Sequence, residues 1–189
     1  MPKAARLVVL ASGSGSTLQA ILDDPELGPL VVAAGTDVPG CAAMCRAEAA
    51  GVSTFAHPLG AYPDRATWNT ELAGTIADHA PDLVVLAGFM RVLAPEVVNR
   101  FRMVNTHPAM LPAFPGAHAI RDALAAGVST TGVTVHWVDE GVDTGPVIAQ
   151  APVPVEAGED EGTLRRRIQA VERPLYLQTI RSLVTEHHS

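Results

Sequence analysis

The chain has 189 residues, 48% hydrophobic and 17% charged, with a net charge of -7; this fits one globular domain around a single core and excludes a disordered chain. The negative balance excludes a nucleic-acid surface, which needs a basic stripe. No apolar run approaches the roughly 20 residues that cross a bilayer.

Met1-Pro2-Lys3-Ala4-Ala5-Arg6 leads straight into a strand pattern without a signal peptide, so a cytoplasmic protein is expected. Lysine occurs once, at Lys3, which leaves no candidate for a Schiff base or a P-loop lysine. Cys41 and Cys45 stand four apart with no further cysteine to complete a zinc set, so reduced structural thiols and no metal are expected.

Arg6 to Ala11 (RLVVLA) is a short apolar run of the kind that forms a buried parallel strand. Ser12-Gly13-Ser14-Gly15-Ser16-Thr17 follows, then Leu18 to Leu22 with helical spacing. A strand, a glycine turn and a helix start together form an anion site, because free N–H groups and the helix dipole point the same way. The alternative is a plain turn with Ser16 or Thr17 as N-cap. Strand and helix then alternate: Leu30 to Ala34, Cys41 to Ala50, Val52 to Ala56, Arg65 to His79 and the strand Asp82 to Ala87. Phe89 to Leu93 reads as a loop, and Pro95 opens a short helix.

Such alternation predicts a mostly parallel twisted sheet with helices on both faces and ligands at the carboxyl ends of the strands. The loops after the first strand, after Ala87 and after Val104 then open on one edge. A helix is expected over Ile120 to Ala126, and Thr131 to Val138 alternates as a half-buried strand with Val147 to Val155 as its antiparallel partner. The acidic, glycine-punctuated stretch from Asp139 to Pro146 joins them as a loop. A last helix runs from Thr163 to about Glu186, bent or broken at Pro174. The acids at 159 to 161 and the arginines at 165 to 167 read as its acidic start and basic interior. The whole chain, 1–189, is expected to form one domain.

The stretch Met103-Val104-Asn105-Thr106-His107-Pro108 reads as a strand running into a proline-fixed turn. An amide and an imidazole two residues apart can point at one spot when the residue between turns away. That pair suits a carbonyl that acquires negative charge during attack. Asp143 supplies a carboxylate able to orient the imidazole and hold it protonated.

The segments SGSGST, LAGFMRVL, VNTHPAMLPAFPGAH and TVHWVDEGVDTGPVIAQ, in this order, resemble the folate-dependent phosphoribosylglycinamide formyltransferases of purine biosynthesis, from Leu7 to Tyr176. The resemblance implies a single-domain Rossmann-like α/β formyltransferase fold with a C-terminal antiparallel strand pair. It implies transfer of a formyl group from 10-formyltetrahydrofolate to the amine of glycinamide ribonucleotide, with small molecules as partners and a monomer or homodimer as assembly. Asn105 would hold the formyl oxygen, imidazolium His107 would stabilise the oxyanion, and Asp143 would raise the imidazole's pKa and help move a proton from amine to folate nitrogen.

By the same resemblance Gly15, Ser16 and Thr17 would take the ribonucleotide phosphate and Glu172 the ribose hydroxyls. The folate would lie against Arg65, Met90, Arg91, Val92, Leu93 and Asn105, with Val138, Asp139 and Glu140 opposite. Core packing is the alternative for Met90, Val92 and Leu93. His118 matches a histidine near the family's site, whereas His136 lies on a strand and has packing as its alternative. His57, His79, His187 and His188 read as surface residues. The sequence departs from its relatives at Thr17, where Asn is frequent, at Gly35-Thr36-Asp37, where Ser-Asn is usual, and in the short link Phe101-Arg102-Met103.

Two rivals keep the chemistry. Formyltetrahydrofolate deformylase carries an N-terminal regulatory domain with no room before Leu7, and methionyl-tRNA formyltransferase carries a further C-terminal domain and a basic surface. A third rival, a nicotinamide-dependent oxidoreductase, draws on Gly13, Gly15 and Asp37, which mimic a dinucleotide fingerprint, but Leu18 occupies its third glycine position.

Overall fold

The computed structural model describes residues 4–186, so Lys3, His187 and His188 lie outside the described residues. Seven strands form one sheet in the order β3-β2-β1-β4-β5-β6-β7. They are β1 (Leu7–Leu10), β2 (Val31–Thr36), β3 (Ser53–Ala56), β4 (Leu83–Leu86), β5 (Met103–His107), β6 (Thr130–Trp137) and β7 (Val147–Pro154). The first five pair in parallel, and β6 and β7 are antiparallel to their neighbours. The α/β fold expected above is thus the one observed, with β6 also antiparallel to β5.

The period-2 geometry of the strands explains why helices cover both faces. Leu7 and Val9 of β1 and Leu83 and Val85 of β4 point into one cluster with Leu18, Ile21, Met44, Tyr176 and Ile180. Their alternates Val8, Leu10, Val84 and Leu86 point into a second with Trp68, Leu72, Ile76 and Val97. All eight strand side chains are buried, each stabilising by about 1.5–3 kcal/mol relative to exposure. The helices are α1 (Ser16–Asp23), α2 (Ala42–Ala49), α3 (Arg65–Asp78), α4 (Pro95–Val98), α5 (Ala119–Ala125) and α6 (Glu161–Glu186).

Helix α6 is not broken at Pro174: it runs through that residue as a single 26-residue element. The ring removes the hydrogen bond to Ala170, but both residues are exposed, so water can serve that carbonyl. Ile168 before the proline and Tyr176 and Ile180 after it are anchored in the core. The start is set by Asp160, whose carboxylate accepts from the Thr163 amide at 2.8 Å.

Two histidines expected at the surface are not there. His57 is buried, its ring held by Tyr62 and, at 2.9 Å, by the Thr75 hydroxyl, while Trp68 donates to its carbonyl at 2.7 Å. Burial pushes the His57 imidazole below its ordinary pKa, with Glu71 acting weakly the other way. His79 is half-buried and stacks on Phe55 at 5.6 Å. The cysteines are free: Cys41 precedes α2, half-buried beside the Thr36 hydroxyl, whereas Cys45 is exposed rather than structural.

Candidate active site

Strand order reverses between β1 and β4, so the loops that follow them part to opposite faces and leave a crevice at their carboxyl ends. The loops are tied where they cross: Ser12 N–H donates to Gly88 O at 3.1 Å, and Met90 N–H to the Ser12 hydroxyl at 2.9 Å. In turn Ser12 donates to Asp37 at the end of β2 at 2.5 Å, and Arg91 donates to the same carboxylate at 2.6 Å. Asp37 is therefore fully engaged, with its side chain 1% exposed. It has no oxygen to offer a cofactor ribose, and Leu18 is core-packed, which removes the dinucleotide reading.

Gly15 is the N-cap of α1, with φ 71° and no side-chain cap, so neither Ser16 nor Thr17 serves as the cap. A Cβ there would lie 2.5 Å from the Ala43 Cα, so this loop can approach α2 only as glycine. Gly15, Ser16, Thr17 and Glu172 line one cleft of about 240 Å³, together with Met90 and Thr106. Burial pushes the Glu172 carboxyl above its ordinary pKa, while Arg173 and the Thr17 hydroxyl pull it down.

Beside that cleft, β5 and β6 build the chemical cluster. Their antiparallel register sets Asn105 opposite His136 and His107 opposite Thr134, so these four side chains share one face. Thr106 turns to the other face and lines the cleft. The Pro108 turn is pinned by Thr134, whose hydroxyl donates to Ala109 O at 2.7 Å and accepts from Leu111 N–H at 3.0 Å. Gln150 of β7 adds a bond to Leu111 O at 2.8 Å.

The loop after β6 then folds back over this face. Its Asp139 accepts from Gly141 N–H and from the Thr144 hydroxyl, at 3.1 and 2.7 Å. A Cβ on Gly145 would lie 1.8 Å from Trp137 O, so only glycine lets the loop close there. Asp143 is thereby brought to the histidines: one oxygen lies 3.3 Å from His107 Nδ1, the other 3.6 Å from His136 Nε2. The Gly116 amide donates to it at 2.8 Å. Burial opposes the charge on Asp143, but His136, the Gly116 amide and His107 outweigh it and hold the carboxyl below its ordinary pKa. His136 is thus a member of the cluster rather than a packing residue, and its Nε2 lies 3.5 Å from the Asn105 carboxamide nitrogen.

His107 has an acceptor at each ring nitrogen, with Nε2 2.8 Å from Phe114 O and Nδ1 facing Asp143. An imidazolium, with two N–H donors, satisfies both. Phe114 and Asp143 are both left-handed, φ 53° and 55°, a conformation that costs about 1–2 kcal/mol outside glycine and less for aspartate. His118 is exposed at the start of α5 and has no hydrogen bond to the cluster. The Phe114 carbonyl and the Gly116 amide are backbone groups that no side-chain pattern could single out.

The remaining candidates spread along the rim. Arg65 lies over the Trp68 ring at 4.6 Å and donates to Val92 O. Met90 and Val92 are 75% and 57% exposed, large apolar surfaces left uncovered beside the crevice, whereas Leu93 packs in the core as its alternative reading had it. Val138 N–H donates to Met103 O at 2.9 Å, and Glu140 accepts from Asn99 at 2.8 Å. Among the described residues no group of His, Cys, Asp and Glu is placed to hold a metal ion, and no helix is long and apolar enough to cross a membrane.

Residues 5–180 match the family model described as formyl transferase. The chain belongs to the formyl transferase family. It is 51% identical over 185 residues to the phosphoribosylglycinamide formyltransferase of Mycobacterium tuberculosis, covering 96% of this chain and 86% of that one. A crystal structure of glycinamide ribonucleotide transformylase 1 from Symbiobacterium toebii superposes with a TM-score of 0.92 at 42% identity, over 97% of this chain and 89% of that chain. The trifunctional purine biosynthetic protein adenosine-3 of Drosophila melanogaster is 40% identical over 186 residues, which are 95% of this chain and 14% of that much longer one. A formyl transferase needs carbonyl-activating groups beside a binding cleft, and the cluster of Asn105, His107, His136 and Asp143 beside the glycine-loop cleft is the candidate for them.

Proposed function

We propose that this formyl transferase moves the formyl group of 10-formyltetrahydrofolate onto the amine of glycinamide ribonucleotide in purine biosynthesis, as one cytoplasmic domain spanning residues 1–189. The observation that carries the reading is the meeting of Asn105, His107, His136 and Asp143 beside a glycine-loop cleft. The names of the relatives supply the substrates.

The substrate amine attacks the formyl carbon, and the C=O pair moves onto oxygen. Asn105 Nδ2–H and a His107 N–H donate to that oxyanion. The formyl oxygen takes the place of Phe114 O at Nε2, one neutral carbonyl acceptor exchanged for another, while Asp143 keeps Nδ1. Asp143, held ionised, accepts the proton that the amine loses and passes it through water to the folate nitrogen. The C–N bond to folate then breaks, giving the formamide and tetrahydrofolate with no covalent enzyme intermediate.

Gly15, Ser16 and Thr17 take the phosphate on the amides at the start of α1, and Glu172 the ribose hydroxyls. The pterin lies against Met90, Arg91 and Val92, with Leu93 backing them, and faces Val138, Asp139 and Glu140, while Arg65 fixes the segment through Val92 O.

The test is a product assay with both substrates. Formylated ribonucleotide is expected; free formate without it would replace this reading with hydrolysis. Asn105→Ala and His107→Ala should each lower kcat by roughly 100-fold or more with unchanged circular dichroism. Near-native rates in both would overturn the assigned roles.

A further inference from the structure

The run Arg165-Arg166-Arg167 stands beside the cleft, and each arginine has different surroundings. Arg167 donates to both Glu159 oxygens at 3.0 and 2.9 Å and lies 3.3 Å from Glu156, so it clamps the segment before α6. Arg166 is exposed and donates to the Thr163 hydroxyl at 2.9 Å. Arg165 alone of the three lines the glycine-loop cleft.

Arg165, Gln169 and Glu172 recur at i, i+4 and i+7, one face of α6 turned towards the loop at 13–17. Arg165 and Glu172 are the two charged side chains lining that cleft, and seven residues set them about 10 Å apart along the helix. The glycine loop itself offers N–H dipoles; the cation bonded to it, Arg46, donates to Ser14 O at 2.8 Å and does not line the cleft. A phosphate monoester, which carries almost two negative charges, would therefore share the cleft with the Glu172 carboxylate, and the cation lining that cleft is Arg165.

The partner of Arg165 in the structure is Glu161, at 2.6 Å, with both side chains about half exposed (52% and 46%). A solvent-exposed pair one turn apart holds a guanidinium weakly. A phosphate offers it two parallel charge-assisted bonds instead.

We propose that Arg165 is a substrate-binding residue that swings from Glu161 onto the phosphate of the ribonucleotide and closes the cradle opposite the glycine loop. This rests on the reading above that the cleft takes a phosphorylated substrate.

The experiment compares steady-state kinetics on glycinamide ribonucleotide and on its dephosphorylated ribonucleoside. Arg165→Ala is expected to raise KM for the ribonucleotide roughly tenfold, with kcat, the folate KM and the ribonucleoside kinetics unchanged. Arg165→Lys should recover part of the loss, Arg166→Ala should match wild type, and Glu161→Gln should leave KM unchanged or lower it.

An equal rise in KM for both substrates, a Glu161→Gln defect equal to that of Arg165→Ala, or no change in Arg165→Ala would each overturn the proposal. Calorimetric titration with ribose 5-phosphate separates the two readings. Weakened binding in Arg165→Ala by a chain that forms no formylated product would sink the formyl-transfer reading and keep the phosphate contact.

Discussion

Asp37 and Asp143 stand at the same edge of the sheet, both nearly excluded from water, yet their partners differ in kind. Asp37 meets a permanent cation and a hydroxyl at 2.6 and 2.5 Å. Asp143 meets two imidazoles at 3.3 and 3.6 Å and a backbone amide at 2.8 Å. Short contacts to groups that keep their protons make a brace. Longer contacts to imidazoles, whose ring nitrogens can either donate or accept, suit the proton-moving role proposed for Asp143. Burial alone therefore does not tell the two carboxylates apart; the chemistry of their neighbours does.

The comparison breaks most visibly at Asp143, the carboxylate proposed to move the proton. Asp143→Asn keeps the shape and the Gly116 contact but removes the charge, and kcat should fall by roughly 100- to 1,000-fold with little change in thermal midpoint. Asp37→Ala should do the reverse, lowering unfolding free energy by about 1–3 kcal/mol in urea titration while kcat falls less than tenfold. The figure is modest for a buried pair because Arg91 stays 39% exposed and can turn to water. A kcat loss in Asp37→Ala as large as that in Asp143→Asn would erase the distinction.

A smaller effect is expected from Tyr176→Phe. That hydroxyl donates to Leu86 O and Val104 O, each at 3.0 Å, and bridges the end of β4 and the start of β5. Its loss should cost about 1 kcal/mol, a shift of roughly 2–4 °C in the thermal midpoint.

The pH dependence of stability sharpens the comparison further. The folded-state pKa of Asp143 is depressed, so its contribution is complete above the unfolded value and is lost as pH falls below about 4. His57 acts in another window, because its folded pKa is also depressed but its protonated form is the charged one. The unfolded chain then binds the extra proton, and stability declines as pH falls below about 6.5. Unfolding curves of His57→Gln should lose that upper slope, and those of Asp143→Asn should have a shallower lower one, since Asp24, held below its ordinary pKa mainly by Arg181, still contributes there.

The parallel strands were legible because β1 and β4 are unbroken Val and Leu runs, and the glycine loop because backbone chemistry restricts what can follow such a strand. Asn105 and His107 could be paired from their spacing. Asp143, 36 residues further on, could be offered to them as a carboxylate, but its spacing does not show the approach, since the loop that delivers it depends on Gly145 closing against Trp137.

Local rules failed where tertiary packing overrode them. Pro174 reads as a break, but the core on either side of it holds the helix together. His57 reads as polar and exposed, but Tyr62, Thr75 and Trp68 enclose it. Asp37 resembles a ribose-binding acid until Ser12 and Arg91 are seen to occupy both of its oxygens.

The hydroxyl oxygen of Ser12 is a single atom shared by two connections, donating to Asp37 and accepting from the Met90 amide. Through it the segment proposed to face the folate and the segment proposed to hold the phosphate hang from one peg. Saturating either substrate should therefore change the dissociation constant of the other, and replacing Ser12 with alanine should make the two bind as strangers.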